Sequence, residues 1–426
     1  MATVTRRLPS QPHLDIPKRE ARELLKAWRA AQPEALERIR GRHPKFRKAD
    51  DVVISAAAFR LSDAQLVIAR EYTFSNWAEL KERVNLNTPA GLLDAAIRAD
   101  DCDTVVRLLH SYPKLLRIPV RSGNWGQPMG HAANLGRLRI IKAVAELGAK
   151  DFQHAFDRAL LQGHIDCARW LYEHGAELKP GIVMGTCETL NPAGMRFLAE
   201  LNAPFTDARG NRLAPLAMVL ETYCRNPGRK HEMLEILVEQ GYQLPETPII
   251  AFHYGRADRL EKHLRTDPKL IERRFSLQEI YPPDLGCAAD GRGGMHWTPV
   301  AGTTLLHLAI DFDEREIFDL LLAHGADVNA RANVDAAGFG GHTPLFNAIV
   351  CSGRRDAYFA SALLNRGASP SIRASVRKFL DWTETPGWHE TREVTPAGWG
   401  HGFPDRGWVN VEALRVVDSA GGLGGT

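Results

Sequence analysis

Histidine, carboxylate and tryptophan crowd two stretches of this sequence. Residues 273–302 hold Tyr281, Asp284, His296 and Trp297, and the segment after Phe379 holds Trp382, Trp388, His389, Glu390, Trp399, His401 and Trp408. In a cleft, histidine or glutamate can act as general acid or base, and tryptophan faces can hold a small ligand. A long segment folded over neighbouring helices would also meet His307, Asp311 and His342. The candidate catalytic residues are therefore His296, His307, Asp311, His342, His389 and Glu390. The candidate contacts for a ligand or partner are Tyr281, Trp297, Trp388 and Trp399.

Established motifs do not sharpen this chemistry. Gly291-Arg292-Gly293-Gly294 lacks the following Lys-Ser/Thr and the flanking strand and helix of a phosphate loop. His389-Glu390 has no second histidine at the helical step that a zinc protease needs, and no G-x-S-x-G elbow occurs. No metal or cofactor is expected. Structural roles compete with catalytic ones: a turn for His342, and a hydrophobic cap for the C-terminal tryptophans. His296-Trp297 is balanced between the two, because ordering a long insert has an entropic cost.

The elements that must position these residues are helix pairs. Between Thr303 and Ala330, Leu305, Leu306, Leu308, Ala309 and Ile310 crowd one short helix. Ile317, Phe318, Leu320, Leu321 and Leu322 crowd a second, and Gly325 suits the left-handed residue that ends it. Such helices run to about two or three turns, too short to stand alone in water, so each pair must bury its faces on a neighbouring pair. Related stretches end at Ala149, Ala176, Ala203 and Ala368. In H-T-P-L-F, Thr343 is placed to cap a helix with its hydroxyl, and Pro344 suits the first helical position.

The pattern resembles the ankyrin-repeat family. The likeness is strongest over Thr304–Asn329, with T-L-L-H-L-A and H-G-A-D-V-N, good over Gly130–Ala149 and Thr343–Ala368, and degenerate elsewhere. It implies an all-α, ankyrin-like helix-pair solenoid that binds a protein partner, and a bacterial source. It also implies a structural role for His307, bonding locally between repeats. Gly130 stands where the family has its histidine, with His131 one step on, and Asp157 takes that place in the next repeat. Gly148, Gly175 and Asn202 are 27 residues apart, against a usual repeat of ~33, so the protruding turns should be shortened.

The expected domains are a basic helical N-terminal module (1–88), degenerate repeats (89–272), a Pro/Gly-rich insert without helical period (273–302), repeats (303–375) and an aromatic-rich cap with a flexible tail (376–426). In the first module, Pro17–Arg40 reads as helix interrupted at Pro33, Ser62-Asp63-Ala64-Gln65 as a capping box, and Ser75-Asn76 as the start of another helix. V-N-V-E-A-L-R-V-V reads as a terminal helix.

Composition narrows the classes. The net charge is +3, but Met1–Asp50 holds thirteen Lys or Arg against six Asp or Glu. That local excess raises a nucleic-acid reading, which is disfavoured because the basic residues alternate with Glu as on a solvated helix face. Six scattered cysteines without a C-x-x-C pair suggest reduced thiols in a cytoplasm. No apolar run reaches the ~20 residues of a membrane span, and no secretory signal is visible. The leading expectation is a cytoplasmic, non-catalytic protein-binding scaffold. The alternative is an enzyme or sensor for a small molecule, with its pocket between 273–302, the repeats and the C-terminal segment.

Overall fold

Proline opens helix after helix. It takes the first helical position in Pro33–Arg42, Pro89–Arg98, Pro128–Asn134, Pro192–Glu200, Pro227–Glu239, Pro248–His253, Pro344–Ile349 and Pro396–Gly402. There its missing N–H would have no helical partner, and its fixed φ already suits the helix. Thr88, Asn191, Asn226, Thr247 and Thr395 cap these starts by accepting a first-turn N–H. At the far ends, Gly148, Gly175, Asn202, Gly325 and Gly367 take positive φ, which releases the chain from the helix without loss of its last carbonyl bonds.

The computed structural model describes residues 6, 8, 13–86, 88–121, 123–288, 299–351, 355–381, 383 and 386–422. Two compact units are present: residues 1–159 with 166–175, and residues 160–165 with 176–426.

The first unit opens with five helices: Asp15–Arg29, Pro33–Arg42, Asp51–Ala56, Leu61–Glu71 and Trp77–Leu86. They share a core that includes Leu24, Leu36, Ile39, Ile54, Val67, Ile68 and Leu80, with Trp28 packed at its edge. Burying each such side chain contributes about 1.5–3 kcal/mol. The interruption expected at Pro33 is present. The expected capping box at Ser62 is not. The helix starts at Leu61, and Asp63 instead accepts the Arg60 N–H at 2.7 Å, two residues earlier in register. Asn76 does cap the last helix, through the Glu79 N–H at 2.9 Å. Helix pairs follow, among them Pro89–Arg98 with Cys102–Ser111 and Pro128–Asn134 with Leu138–Glu146. Gly130 lies so close to the next turn that a Cβ would sit 2.5 Å from the His154 ring. His131, fully buried, turns its Nε2 to within 2.8 Å of the Asp94 carboxylate.

The second unit continues with pairs, including Ala214–Glu221 with Pro227–Glu239, Pro248–His253 with Ala257–Thr266, Leu305–Asp311 with Arg315–Ala323, and Pro344–Ile349 with Tyr358–Asn365. Leu305, Leu306, Leu308, Ala309, Ile310, Ile317, Phe318, Leu321 and Leu322 are buried as their spacing predicts, and Leu320 is half-buried. Pro344 starts its helix, but the Thr343 hydroxyl has no partner; the Phe346 N–H bonds the Thr343 carbonyl at 3.0 Å instead.

Two expectations need correction. The 273–302 stretch is not without regular structure: Ser276 and Glu279 form a capping box that starts a short helix at Leu277–Ile280, followed by a 3-10 turn at Pro283–Leu285. Nor is the chain all-α. Strands β1 (Ala374–Leu380) and β2 (Gly387–Val394) form an antiparallel pair, with Val376 opposite Thr391 and Lys378 opposite His389. Ala374, Val376, Lys378 and Leu380 share the buried face of β1, which is the period-two rule of a strand with one face covered. Helix Pro396–Gly402 then packs so closely on helix Pro344–Ile349 that a Cβ on Gly400 would meet Ile349 at 2.5 Å. The expected terminal helix is Val411–Gly422.

Candidate functional site

Within the second unit, the last repeat helices, the hairpin and helix Pro396–Gly402 enclose a partly open cavity. It offers about 40 Å³ of space to water-sized groups. Its apolar wall comes from Phe346, Val350, Val376, Trp399 and Trp408, and its polar wall from Arg225, Asp311, His342, Asn347 and Lys378. Pro299 reaches it from the insert and Cys351 from the end of the repeat helix.

The polar wall is charged and nearly dry. Arg225 follows helix Ala214–Glu221, and Asp311 closes helix Leu305–Asp311. Arg225 Nη2 donates to Asp311 Oδ2 at 3.0 Å, with side chains 5% and 8% exposed. Its Nη1 donates to the Thr222 carbonyl at 2.7 Å, and the guanidinium lies 4.4 Å from the Phe312 ring centre. The pair is thus held from several sides, as a buried ion pair must be. Lys378, 4% exposed, projects from the inward face of β1 with its Nζ 4.6 Å from the Trp408 ring centre. Burial pushes its pKa down to about 8.

His342 is 4% exposed, and neither ring nitrogen has a hydrogen-bond partner. Burial pushes it down to about 4, against the pull of Asp311, so the ring is neutral at pH 7. Behind this wall, Lys230 gives its ammonium to His253 Nδ1 at 2.7 Å and to the Leu220 carbonyl at 3.3 Å. Burial, then the neighbouring Arg225, push Lys230 down to about 7. Two cations, one carboxylate and a neutral imidazole therefore line the cavity. This set suits the holding of a compact polar or charged group. Lys378 can also exchange a proton near neutral pH.

The structure gathers some of the sequence candidates and separates others. Asp311, His342 and Trp399 line the cavity together. His307 is fully buried beside it, its ring 5.6 Å from that of His342. Both its nitrogens are engaged: Nδ1 accepts from the Thr304 hydroxyl at 2.9 Å, and Nε2 donates to the His342 carbonyl at 3.2 Å. Tyr281 is 2% exposed with its hydroxyl unpartnered, and burial pushes its pKa up. His389 stacks on Trp399 at 5.1 Å, and burial lowers its pKa. Glu390 and Trp388 lie on the exposed face of β2; Arg377 reaches both, at 3.7 Å from the carboxylate and 4.8 Å from the indole. The C-terminal tryptophans therefore do not act alike: Trp399 is 5% exposed and Trp388 is 49% exposed. His296 and Trp297 lie outside the described residues.

Sequence reasoning missed Arg225 and Lys378. Arg225 sits in no motif. Lys378 did leave a trace, since it occupies an inward position in the alternation of Ala374, Val376 and Leu380, and a buried polar residue is the informative exception.

A larger groove of about 670 Å³ lies elsewhere in the unit, between Gln243–Ile249 and Phe275–Leu285. Pro245, Pro248 and Pro282 line it, and the Arg273–Glu279 ion pair stands at its edge. In the N-terminal helices, Glu71 takes Arg38 at 2.8 Å and Arg6 at 3.5 Å, and Arg40 pairs with Asp51. Among the described residues no helix is long and apolar enough to cross a membrane, and no group of three or more His, Cys, Asp or Glu could hold a metal ion.

The family model of the ankyrin repeat matches residues 301–333. A stretch of 126 residues, 30% of this chain, is 32% identical to the ADP-ribosylation factor GTPase-activating protein AGD4 of Arabidopsis thaliana. It spans only 13% of that protein's length. Among solved structures, the human ASB11 ankyrin repeat domain aligns over 57% of this chain and 99% of its own, at 22% identity and a TM-score of 0.29.

Proposed function

This chain is an ankyrin-repeat protein, and from that premise we propose that it is a non-catalytic scaffold that binds a protein partner. The observation that carries the reading is the repeat at residues 301–333, because stacked helix pairs present surface and loops and have no built-in reaction centre. The proline-lined groove between Gln243–Ile249 and Phe275–Leu285 is the surface we assign to the partner. Its volume of about 670 Å³ suits side chains of an extended segment.

The test is a pull-down with the purified full chain beside a Gln243→Arg, Gln278→Arg variant. Both glutamines are exposed at the groove, so the variant should fold normally. A partner kept by the wild type and lost by the variant supports the scaffold. A partner kept equally by both removes the groove from the reading, and no reproducible partner removes the scaffold.

One observation favours a second reading, a site for a small molecule. Arg225, Asp311, His342 and Lys378 converge, all nearly buried, on one cavity with tryptophan walls. Nucleic-acid binding through residues 1–88 gains no such support, since Arg6, Arg38 and Arg40 are held by carboxylates. A thermal-shift screen with sugars, nucleotides and acidic metabolites tests the second reading. A small molecule that raises the melting temperature of the wild type but not of Lys378→Met supports it.

A further inference from the structure

We propose that the cavity between the last repeat and the C-terminal hairpin binds an uncharged small molecule by its carboxamide group, with His342 as the side chain that recognises it. The inference rests on the small-molecule reading and names the chemistry of its ligand.

Hydrogen bonding is the first argument. His342 lines the cavity, is 4% exposed, and has no partner on either ring nitrogen. Buried polar groups in proteins are rarely left so, and the exceptions mark places where a ligand or water is expected. The ring is neutral at pH 7, so it carries one N–H and one bare nitrogen. A carboxylate offers only acceptors and an ammonium only donors, whereas a carboxamide offers both. Whichever nitrogen faces the cavity therefore finds its complement on the same group.

Charge is the second, and it speaks against an ion. Arg225 and Asp311 pair at 3.0 Å. Lys378 is attracted by both Asp311 and Asp381. The cations of the wall are thus answered by carboxylates of the protein itself. An ion entering beside them would lose its hydration with no spare counter-charge to replace it, and an uncharged polar group loses far less.

Size is the third. The space of about 40 Å³ admits roughly three water-sized groups, and a carboxamide has three heavy atoms. A lone hydroxyl would leave most of that space unfilled. The walls from Val350, Val376 and Trp399 then face the apolar part of the ligand.

The experiment is NMR titration of the full chain, labelled at the ring nitrogens of its histidines, with butyramide, sodium butyrate and 1-butanol in turn. The probes share a propyl tail and differ in the polar group, so their comparison needs no variant. Butyramide should shift one ring signal to saturation, with a dissociation constant at least about tenfold below those of butyrate and 1-butanol. That signal should be the one missing from His342→Leu. The variant leaves no polar group unpaired and should keep its melting temperature. Butyrate binding as tightly as butyramide would overturn the uncharged ligand, and 1-butanol doing so would overturn the carboxamide; either result leaves the small-molecule reading standing. A shifted signal that persists in His342→Leu would overturn His342 as the contact. No shift with any probe would leave the cavity to water and overturn the inference, and the small-molecule reading falls with it only if the wider thermal screen also yields no stabilising compound.

Discussion

His307 Nε2 donates a hydrogen bond to the carbonyl oxygen of His342, 35 residues on, at 3.2 Å. The other nitrogen of the same ring, Nδ1, takes the Thr304 hydroxyl at 2.9 Å and the Thr304 N–H at 3.3 Å. One neutral imidazole thus caps its own helix and ties it to the start of the next repeat. The network assigns the tautomer, with the proton on Nε2.

Removing that ring should loosen both ends. His307→Ala leaves the Thr304 N–H and the His342 carbonyl without partners at a fully buried site. The loss is about 3 kcal/mol or more, from unmade hydrogen bonds and a new cavity. Urea unfolding checks it: the midpoint should fall at an unchanged slope. A change below about 1 kcal/mol would show that water replaces the ring at little cost.

Much of this architecture is legible in the sequence. The apolar crowding of Leu305–Ile310 and Ile317–Leu322, with Gly325 behind it, states a helix pair and its stop. The hairpin is not legible, for a physical reason. Lys378 holds an inward position of β1 and breaks the apolar alternation, and β2 carries Glu390, Arg392 and Glu393 on its exposed face. The site is half legible: Asp311, His342 and Trp399 stand out by type, but Arg225 meets Asp311 across 86 residues of sequence. Only the fold brings the two together.

Acid should destabilise the protein before its carboxylates titrate. Burial, then His342, hold His307 down to about 3, and burial holds His342 down to about 4. In the unfolded chain both titrate near 6.5. Their stabilising effect is therefore complete above that value and is lost as pH falls from there toward 4, because the unfolded chain binds protons the folded one refuses. Each group can remove about 1.4 kcal/mol per pH unit in that window. Denaturation curves at pH 7, 6 and 5 read the slope. His342→Gln should reduce it, and a flat profile in the wild type would contradict the buried neutral rings.

The Arg225–Asp311 pair should behave differently when broken than when replaced. Asp311→Ala leaves a guanidinium only 5% exposed without its carboxylate, at a loss of about 3–5 kcal/mol. The double variant Arg225→Met, Asp311→Leu removes both charges and should recover most of that loss. A double variant as unstable as the single would mean that the Arg225 bond to the Thr222 carbonyl, at 2.7 Å, is what the loop depends on.

Lys230 makes the opposite pH prediction from the histidines. Lys230 is 3% exposed, its ammonium held by His253 and the Leu220 carbonyl and 4.5 Å from the Phe312 ring centre. Burial, then Arg225, lower its pKa to about 7, while the unfolded lysine titrates near 10.4. Between those values the unfolded chain holds the proton and the folded chain releases it. Stability from this group is thus least below pH 7 and rises with pH above it. Lys378, pushed down to about 8, adds to the rise. The buried thiols oppose it increasingly as pH approaches 8.5, since Cys167 and Cys287 are pushed up to about 11 and 12 while unfolded thiols are half-ionised near 8.5. The window from pH 7 to about 7.5, where unfolded thiols keep most of their protons, therefore favours the lysines. Unfolding free energy should increase across it in the wild type, and the increase should shrink in Lys230→Met, whose side chain fills the same space without the charge. An identical slope in the variant would assign the pH dependence elsewhere and remove Lys230 as a buried titrating group.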